Sequence, residues 1–489
     1  MVNSFEMRFA CGTKGYNFLR NKMHYPLPSI RTQQQRLEHV HFDTGILHEI
    51  FELLRSKVAS MSANDRDCGV VLDEMSIDQS LSFCNNNKKM FGNATIPGQN
   101  QKATHGLVVM LVGIHSRWKQ VVAYHFTGNT IPEDFQKSLV VDVIQRAENL
   151  GLNVHFVTTD CGPNNIRMWN DFGVKHSKDE VLNSKPQVHP IRTNDKIEII
   201  PDVTHVFKSC VQGWVKNKFV YLPQEIVKEN GFVTDVASVL HLKELVDFEA
   251  NKGLKMASRL TFRDVDFLNT NRLDAMKFGT SYKLVNHDVA VALRFMSAEL
   301  DRPELLTTAY FIECVWKWFK LMTSRHLDLA LSMRNIDVYN QTLAFLKWYC
   351  RFIQESKVGQ TKRWKPWQSA SILCTNSILR LQKHFLVDKR YQYLLTCRFT
   401  QDCVENLFSL IRFKQKRPTA LQFKDSLKLL TISQFMAEIP SSSYETDDRS
   451  WLLNLTESVI KKDSTNVHPT EMLGNSNEAC MVRQKFTTF

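Results

Sequence analysis

Two acidic residues stand where a folded protein tolerates them only with help. Asp73 sits inside Cys68-Gly69-Val70-Val71-Leu72-Asp73-Glu74-Met75-Ser76-Ile77, an apolar run of the kind that forms a buried strand. Asp160 closes a second such run, Gly151-Leu152-Asn153-Val154-His155-Phe156-Val157-Thr158-Thr159. A buried carboxylate is costly unless hydrogen bonds, a cation or a metal ion compensate it. Carboxylate oxygens suit Mg2+ or Mn2+, and no Cys/His set here suits zinc. Two such ions about 4 Å apart, clamped by three or four carboxylates, activate a water or a 3′-hydroxyl at phosphorus. Taken singly, either acid reads more readily as a hydrogen-bonded or edge-exposed strand residue, and it is the pair in one domain that points to a site. A third carboxylate must come from a helix laid on the same sheet. Glu405, in Gln401-Asp402-Cys403-Val404-Glu405-Asn406-Leu407-Phe408-Ser409, lies beside an apolar stripe of Val404, Leu407, Phe408 and Ile411. It follows Asp160 by 245 residues, which requires the intervening chain to be an insertion within the sheet domain.

The elements that would hold these acids follow from periodicity. Tyr25-Pro26-Leu27-Pro28-Ser29 is a break, after which 29–40 and 43–62 read as helices, the second with Ile46, Ile50, Leu53 and Leu54 on one face. This pair is either a DNA-binding unit or a cap on the next domain. Strands are expected over 67–77, 107–114, 118–126, 151–160 and 197–200. A loop or ragged hairpin is expected over 78–103, a turn over 161–165, and helices over 132–150 and 203–218. Three antiparallel strands followed by alternating helices and strands is the order of a ribonuclease H-like α/β domain. From 218 to 398 the pattern is helical throughout, as at Val289, Leu293 and Met296 and at Phe311, Val315, Trp318 and Phe319. The expected organisation is therefore a helical region at 1–66, a first ribonuclease H-like part at 67–217 and a separate all-helical insertion at 218–398. A C-terminal part carrying the Glu405 helix follows at 399–439, and a polar tail at 440–489.

Bulk properties narrow the partners. The 489 residues carry a net charge of +12, which favours a polyanion, and nucleic acid is the commonest. Eleven cysteines without a CxxC pair suit a reducing compartment, the cytosol or nucleus, and imply no disulfide framework. No apolar run is long enough for a membrane span, and the N-terminus does not read as a secretory signal.

Six ordered motifs carry a family resemblance: Gly15-Tyr16-Asn17-Phe18-Leu19-Arg20, Leu27-Pro28-Ser29, Leu72-Asp73-Glu74-Met75-Ser76-Ile77, Thr159-Asp160-Cys161-Gly162-Pro163-Asn164-Asn165, Pro201-Asp202-Val203-Thr204-His205-Val206-Phe207-Lys208-Ser209 and Gln401-Asp402-Cys403-Val404-Glu405-Asn406. From about residue 12 to 430 the chain resembles P-element-type DNA transposases, the group that includes the THAP-domain-containing transposase of vertebrates. The resemblance implies a ribonuclease H-like domain split by a helical insertion that binds GTP without hydrolysing it. This agrees with the absence of a GxxxxGK[ST] loop. It implies that Asp73, Asp160 and Glu405 are both catalytic acids and ligands of Mg2+ or Mn2+. The reaction would be cut-and-paste transposition, with hydrolysis at the transposon ends followed by strand transfer into target DNA. It further implies a nuclear location, DNA as partner and self-association, with Asp402, Lys277 and Phe319 as nucleotide contacts. Lys320 and Thr323 stand where the family reads guanine with Asp and Asn, and lysine cannot accept the base's N–H groups, so guanine selectivity should be weak. The family's zinc-coordinating THAP domain and coiled coil have no counterpart in these residues. That leads us to expect a fragment or a shortened relative, and the alternative reading is a non-catalytic nuclear DNA-binding descendant of a transposase.

Smaller features complete the inventory. Between 408 and 430 there are six basic residues and one acid. Arg412, Lys414, Lys416 and Arg417, with Lys208 on the helix after Asp202, would grip a phosphate backbone or form a solvated face. His205 is either an active-site helper or a structural histidine. Trp364 and Trp367, flanking Lys365-Pro366, would stack bases or plug a domain boundary.

Overall fold

The computed structural model describes residues 2–38, 42–84, 88–250, 252–253, 255–266 and 278–437. The asparagines at 85–87, Lys277 and the polar tail at 440–489 lie outside them. The chain forms two compact units, one holding residues 1–33 and the other 34–438.

The first unit is helical where turns were expected. Helix α1 (Val2–Asn21) bends at Gly12, whose φ of 66° is open to glycine, and α2 begins at Ile30 (Ile30–Glu38). The buried Gln33 amide donates to Ser4 O at 2.9 Å and to the Tyr16 hydroxyl at 3.0 Å. Tyr16 in turn donates to Pro28 O at 2.8 Å. The Pro-rich break is thus tied back to α1.

The second unit is built on a seven-stranded sheet. Strands β1 (Gly45–Ile46) and β2 (Asp67–Ser76) are followed by a separate hairpin, β3 (Ser82–Cys84) with β4 (Lys89–Phe91). Then come β5 (His105–Gly113), β6 (Lys119–Thr127), β7 (Asn153–Thr159), β8 (Gln187–Val188) and β9 (Lys196–Pro201). The order is β1-β6-β5-β2-β7-β9-β8. Strands β2, β5 and β6 pair antiparallel, whereas β7 runs parallel to both β2 and β9. The two apolar acid-bearing runs are therefore neighbours at the centre of the sheet. Gly69 leaves the space that the Phe156 ring of β7 fills, since a Cβ there would lie 2.2 Å from that ring.

Helices cover the sheet. They are α3 (His48–Ser60), α4 (Phe135–Asn149), α5 (Pro163–Asp171) and α6 (Val203–Asn217). On α3 the buried face is Ile50, Phe51, Leu54 and Val58, and Leu53 is exposed. Ile46 belongs to β1, so the expected face was placed slightly off the true one. Helix α5 occupies ground read as a turn, because Pro163 sits at its first position and a turn signal there is also a helix start.

Residues 218–398 are mostly helical but include a small sheet of β10 (Phe219–Tyr221), β11 (Val236–Ser238) and β12 (Lys357–Val358). Strands of two or three residues are too short to leave a period in the sequence. The helices are α7 (Gln224–Asn230), α8 (Leu240–Ala250), α9 (Phe262–Val265), α10 (Phe278–Leu284), α11 (His287–Leu300), α12 (Leu305–Met322), α13 (Ile336–Glu355) and α14 (Pro366–Gln382). This segment is not a detached module. Helix α14 packs on β9 and α6, with Arg380 paired to the buried Glu198 of β9 at 2.6 and 2.7 Å. Trp367 is buried against Gly213 of α6, the packing role rather than an exposed stacking platform.

A second buried clasp fastens the start of β2. Asp67, with no exposed surface, accepts from Lys389 Nζ at 2.5 Å, Tyr391 OH at 2.7 Å, His155 Nε2 at 2.8 Å and Asn153 Nδ2 at 3.1 Å. These partners hold its carboxyl well below the usual carboxylate range against the opposing effect of burial. The chain then re-enters the sheet domain at Phe399, whose carbonyl accepts from the Thr158 hydroxyl of β7 at 2.9 Å. It continues as α15 (Asp402–Lys414) and α16 (Ala420–Ala437), the second packing on β6.

Candidate active site

Asp73 lies on β2, and Asp160 follows the last residue of the adjoining parallel strand β7. Glu405 lies in the first turn of α15, where the helix N-terminus favours a negative charge. The residue between them is His205, in the first turn of α6. Its Nε2 donates to Glu405 Oε1 at 3.1 Å, and its Nδ1 stands 3.8 Å from Asp160 Oδ2. The side chains of His205, Asp160 and Glu405 keep 20%, 32% and 40% of their surface exposed, so the group opens to solvent.

Each of these groups is also held locally. Asp73 Oδ1 accepts from the Glu74 amide at 2.8 Å. Asp160 Oδ1 accepts from the Gly162 amide at 2.8 Å and from Asn165 Nδ2. The Asn165 carbonyl oxygen is buried without a partner. Trp169 of α5 donates to Thr159 Oγ1 at 2.9 Å, which anchors α5 under the end of β7.

The electrostatics are those of a site short of positive charge. Burial, with Asp160 and Glu405 adding to it, pushes the Asp73 carboxyl up to about 7 despite His205 and the Glu74 amide. Burial works against a charged His205, but its bond to Glu405 and the nearby Asp202 and Asp73 prevail, and the imidazole is raised to about 9. Glu405 is held below its ordinary value by the hydrogen bond from His205, with Lys208 and Arg412 contributing.

The donors are all oxygen, the kind Mg2+ or Mn2+ takes. Among the described residues, no group of three His, Cys, Asp or Glu is arranged to hold a metal ion as it stands. His205 stands between Asp160 and Glu405 instead, and Asp73 is near enough to feel its charge.

The model for the TNP-like, RNase H N-terminal domain matches residues 42–173, the stretch that carries both strand acids. The chain is 22% identical over 453 residues to the transposable element P transposase of Drosophila melanogaster, covering 90% of this chain and 55% of that protein. It therefore spans about half the length of that relative. The structure superposes on the Drosophila P element transposase strand transfer complex with a TM-score of 0.72 at 20% identity, over 88% of this chain and 90% of that one. At that identity the likeness is one of fold. The resemblance to P-element-type transposases holds.

In this transposase-like framework the remaining expected residues have different fates. Lys208 lies one turn after His205, and Arg412 lies on the exposed side of α15, both near enough to lower the Glu405 carboxyl. Lys414 closes α15, and Lys416 and Arg417 are exposed in the following loop. That loop is pinned to the exit of β2 by the Asp78 amide, which donates to Pro418 O at 2.9 Å. Of the expected nucleotide contacts, Phe319 is buried and stacked on Phe207 at 4.3 Å, and Asp402 is paired with Arg325. Lys277 lies outside the described residues. Thr323 spends its hydroxyl on Phe319 O at 2.7 Å, and Lys320 lies over the Trp316 ring.

Asp202, Gln401 and Asn165 were quoted in motifs without being assigned a role. Asp202 had a readable signal, an acid three residues before His205 at a helix start, which is an N-cap pattern. Gln401 had none, because its partner Leu72 is 329 residues away.

Proposed function

We propose that this chain is a DNA-processing enzyme of the transposase type that cleaves and rejoins phosphodiester bonds with the help of a divalent metal ion. The observation that supports this most is that His205 pairs with carboxylates from the end of β7 and from α15, close enough to Asp73 of the central strand β2 for all three acids and the histidine to act on one another, in a group that opens to solvent. Asp73, Asp160 and Glu405 are the residues that would hold Mg2+ or Mn2+, whose chemistry at phosphorus is to neutralise charge on the attacking and leaving oxygens. Lys208 and Arg412 lie beside Glu405, and Lys416 and Arg417 are exposed in the loop after α15; together they would take DNA phosphates, fixing the register of the strand. Without a metal ion, burial and the neighbouring acids push the Asp73 carboxyl up to about 7, a mutual repulsion that a bound cation would relieve. Among the described residues no helix is long and apolar enough to cross a membrane. Nuclear location, self-association and weak binding of a nucleotide with little guanine selectivity belong to the proposal through the resemblance.

The test is nicking and joining of a labelled DNA duplex by the full chain with Mg2+ or Mn2+. Cleavage is expected with wild type and none above background with Asp73→Ala. Unchanged cleavage by that variant overturns the assignment.

A further inference from the structure

We propose that Asp202 and Gln401 form a positioning hub that sets the spacing of the three carboxylates, so that the site's affinity for a divalent metal ion depends on two residues that are not ligands. The inference rests on the reading above that Asp73, Asp160 and Glu405 bind the metal.

Both hub side chains belong to residues with no exposed surface. Asp202 caps α6, its Oδ2 accepting from the His205 amide at 2.9 Å. Its Oδ1 accepts from the Gln401 amide at 2.7 Å, and its own amide donates to Thr159 O at 2.8 Å. Gln401 Nε2 donates to Leu72 O at 2.5 Å, and Gln401 O accepts from the Glu405 amide at 3.0 Å. Leu72 precedes Asp73 and Thr159 precedes Asp160, so each strand acid is one residue from a hub bond. Glu405 is one helical turn from the hub, and His205 is held by its cap. Five hydrogen bonds therefore meet at these two residues, three made by their side chains and two by their backbones, and the side-chain bonds tie the Leu72–Asp73 strand end, the Gln401–Glu405 helix start and the His205 helix start to one another. They lie in a low-dielectric interior where they are not weakened by water.

The chemistry of the two residues is specific. Both Asp202 oxygens take backbone N–H groups, and an asparagine can accept on one side only, setting its NH2 against the other N–H. Gln401 must donate to a strand carbonyl while its backbone bridges to Asp202, and methionine keeps its bulk without the donor. Groups that orient ligands from behind typically change metal affinity about 10–100-fold when removed.

The experiment measures Mn2+ binding to the full chain without DNA, following the free-ion signal by electron paramagnetic resonance, with thermal unfolding of the metal-free protein alongside. Asp202→Asn and Gln401→Met are expected to weaken Mn2+ binding by about 10–100-fold while remaining folded. Asp67→Asn, which breaks the clasp remote from the acids, is expected to lower the melting temperature and leave Mn2+ affinity unchanged. Wild-type affinity in both hub variants overturns the inference, as does a loss that tracks melting temperature in all three variants. Should Asp202→Asn not fold, Gln401→Met decides. Asp73→Asn is the separate arm for the underlying reading: if it binds Mn2+ as wild type does, the metal site itself is wrong and the hub falls with it.

Discussion

Strand β2 carries a fully buried acid, Asp67, at its start and a half-buried one, Asp73, six residues on, about 20 Å away along the strand, and the two are treated in opposite ways. Asp67 is given Lys389, His155, Tyr391 and Asn153 and is held as a carboxylate. Asp73 is given one amide and two further acids, with His205 as compensating charge, and its proton is held to about 7. The first end fastens the polypeptide and asks nothing of solvent. The second is left electrically incomplete in a group that opens to solvent. The same residue type on the same strand is thus structural where its partners are many and, under the proposed function, put to chemistry where they are few.

The largest effect that could break this contrast is at Asp73 itself. Asp73→Asn should abolish DNA nicking and joining yet raise the melting temperature of the metal-free protein at pH 8, because it removes an undercompensated charge. A lower melting temperature would refute the incompleteness. Next is Asp67→Asn, which should cost about 3–5 kcal/mol by denaturant titration at pH 7, as expected when one partner of a buried ion pair is lost. The folded pKa of Asp67 lies below its ordinary value, so its contribution is present above about pH 4 and lost as pH falls through the folded value. The gap between wild type and variant should therefore close in acid.

A smaller effect distinguishes the ends by pH alone. Asp73 and His205 both have folded pKa values above their ordinary ones, about 7 and about 9. The stability each confers is present at low pH and lost as pH rises through those values. The metal-free melting temperature should fall between pH 6 and pH 9.5, and Mn2+ should flatten the fall. A flat profile without metal would count against the pair. The smallest effect concerns the nucleotide. With Lys320 over Trp316 and Thr323 bonded to Phe319 O, calorimetry should find weak GTP binding with little preference over ATP. Micromolar, guanine-selective binding would reverse that view.

Much of this was legible in the residues. Asp73 and Asp160 announced themselves because an acid inside an apolar run conflicts with burial, and such conflicts concentrate at functional sites. The central strands were legible because they are long and almost wholly apolar. Strands β10 to β12 were not, being too short to show a period, and α5 was hidden behind its own N-terminal proline. The roles of Gln401 and of Lys389 could not be read at all. Each acts on a partner more than three hundred residues away, and no local pattern encodes such a pairing.

The bond from Thr158 to Phe399 joins residues 241 positions apart, and Glu405 lies beyond it. Closing so long a loop in an unstructured chain would cost about 5 kcal/mol of entropy, which folding of the intervening helices removes in advance. During synthesis, then, the two strand acids emerge early and wait while the insertion assembles. A chain stopped anywhere between Asp160 and Glu405 has two acids of the three, so under the proposed chemistry the ability to cut waits for the insertion to be complete and α15 to follow it.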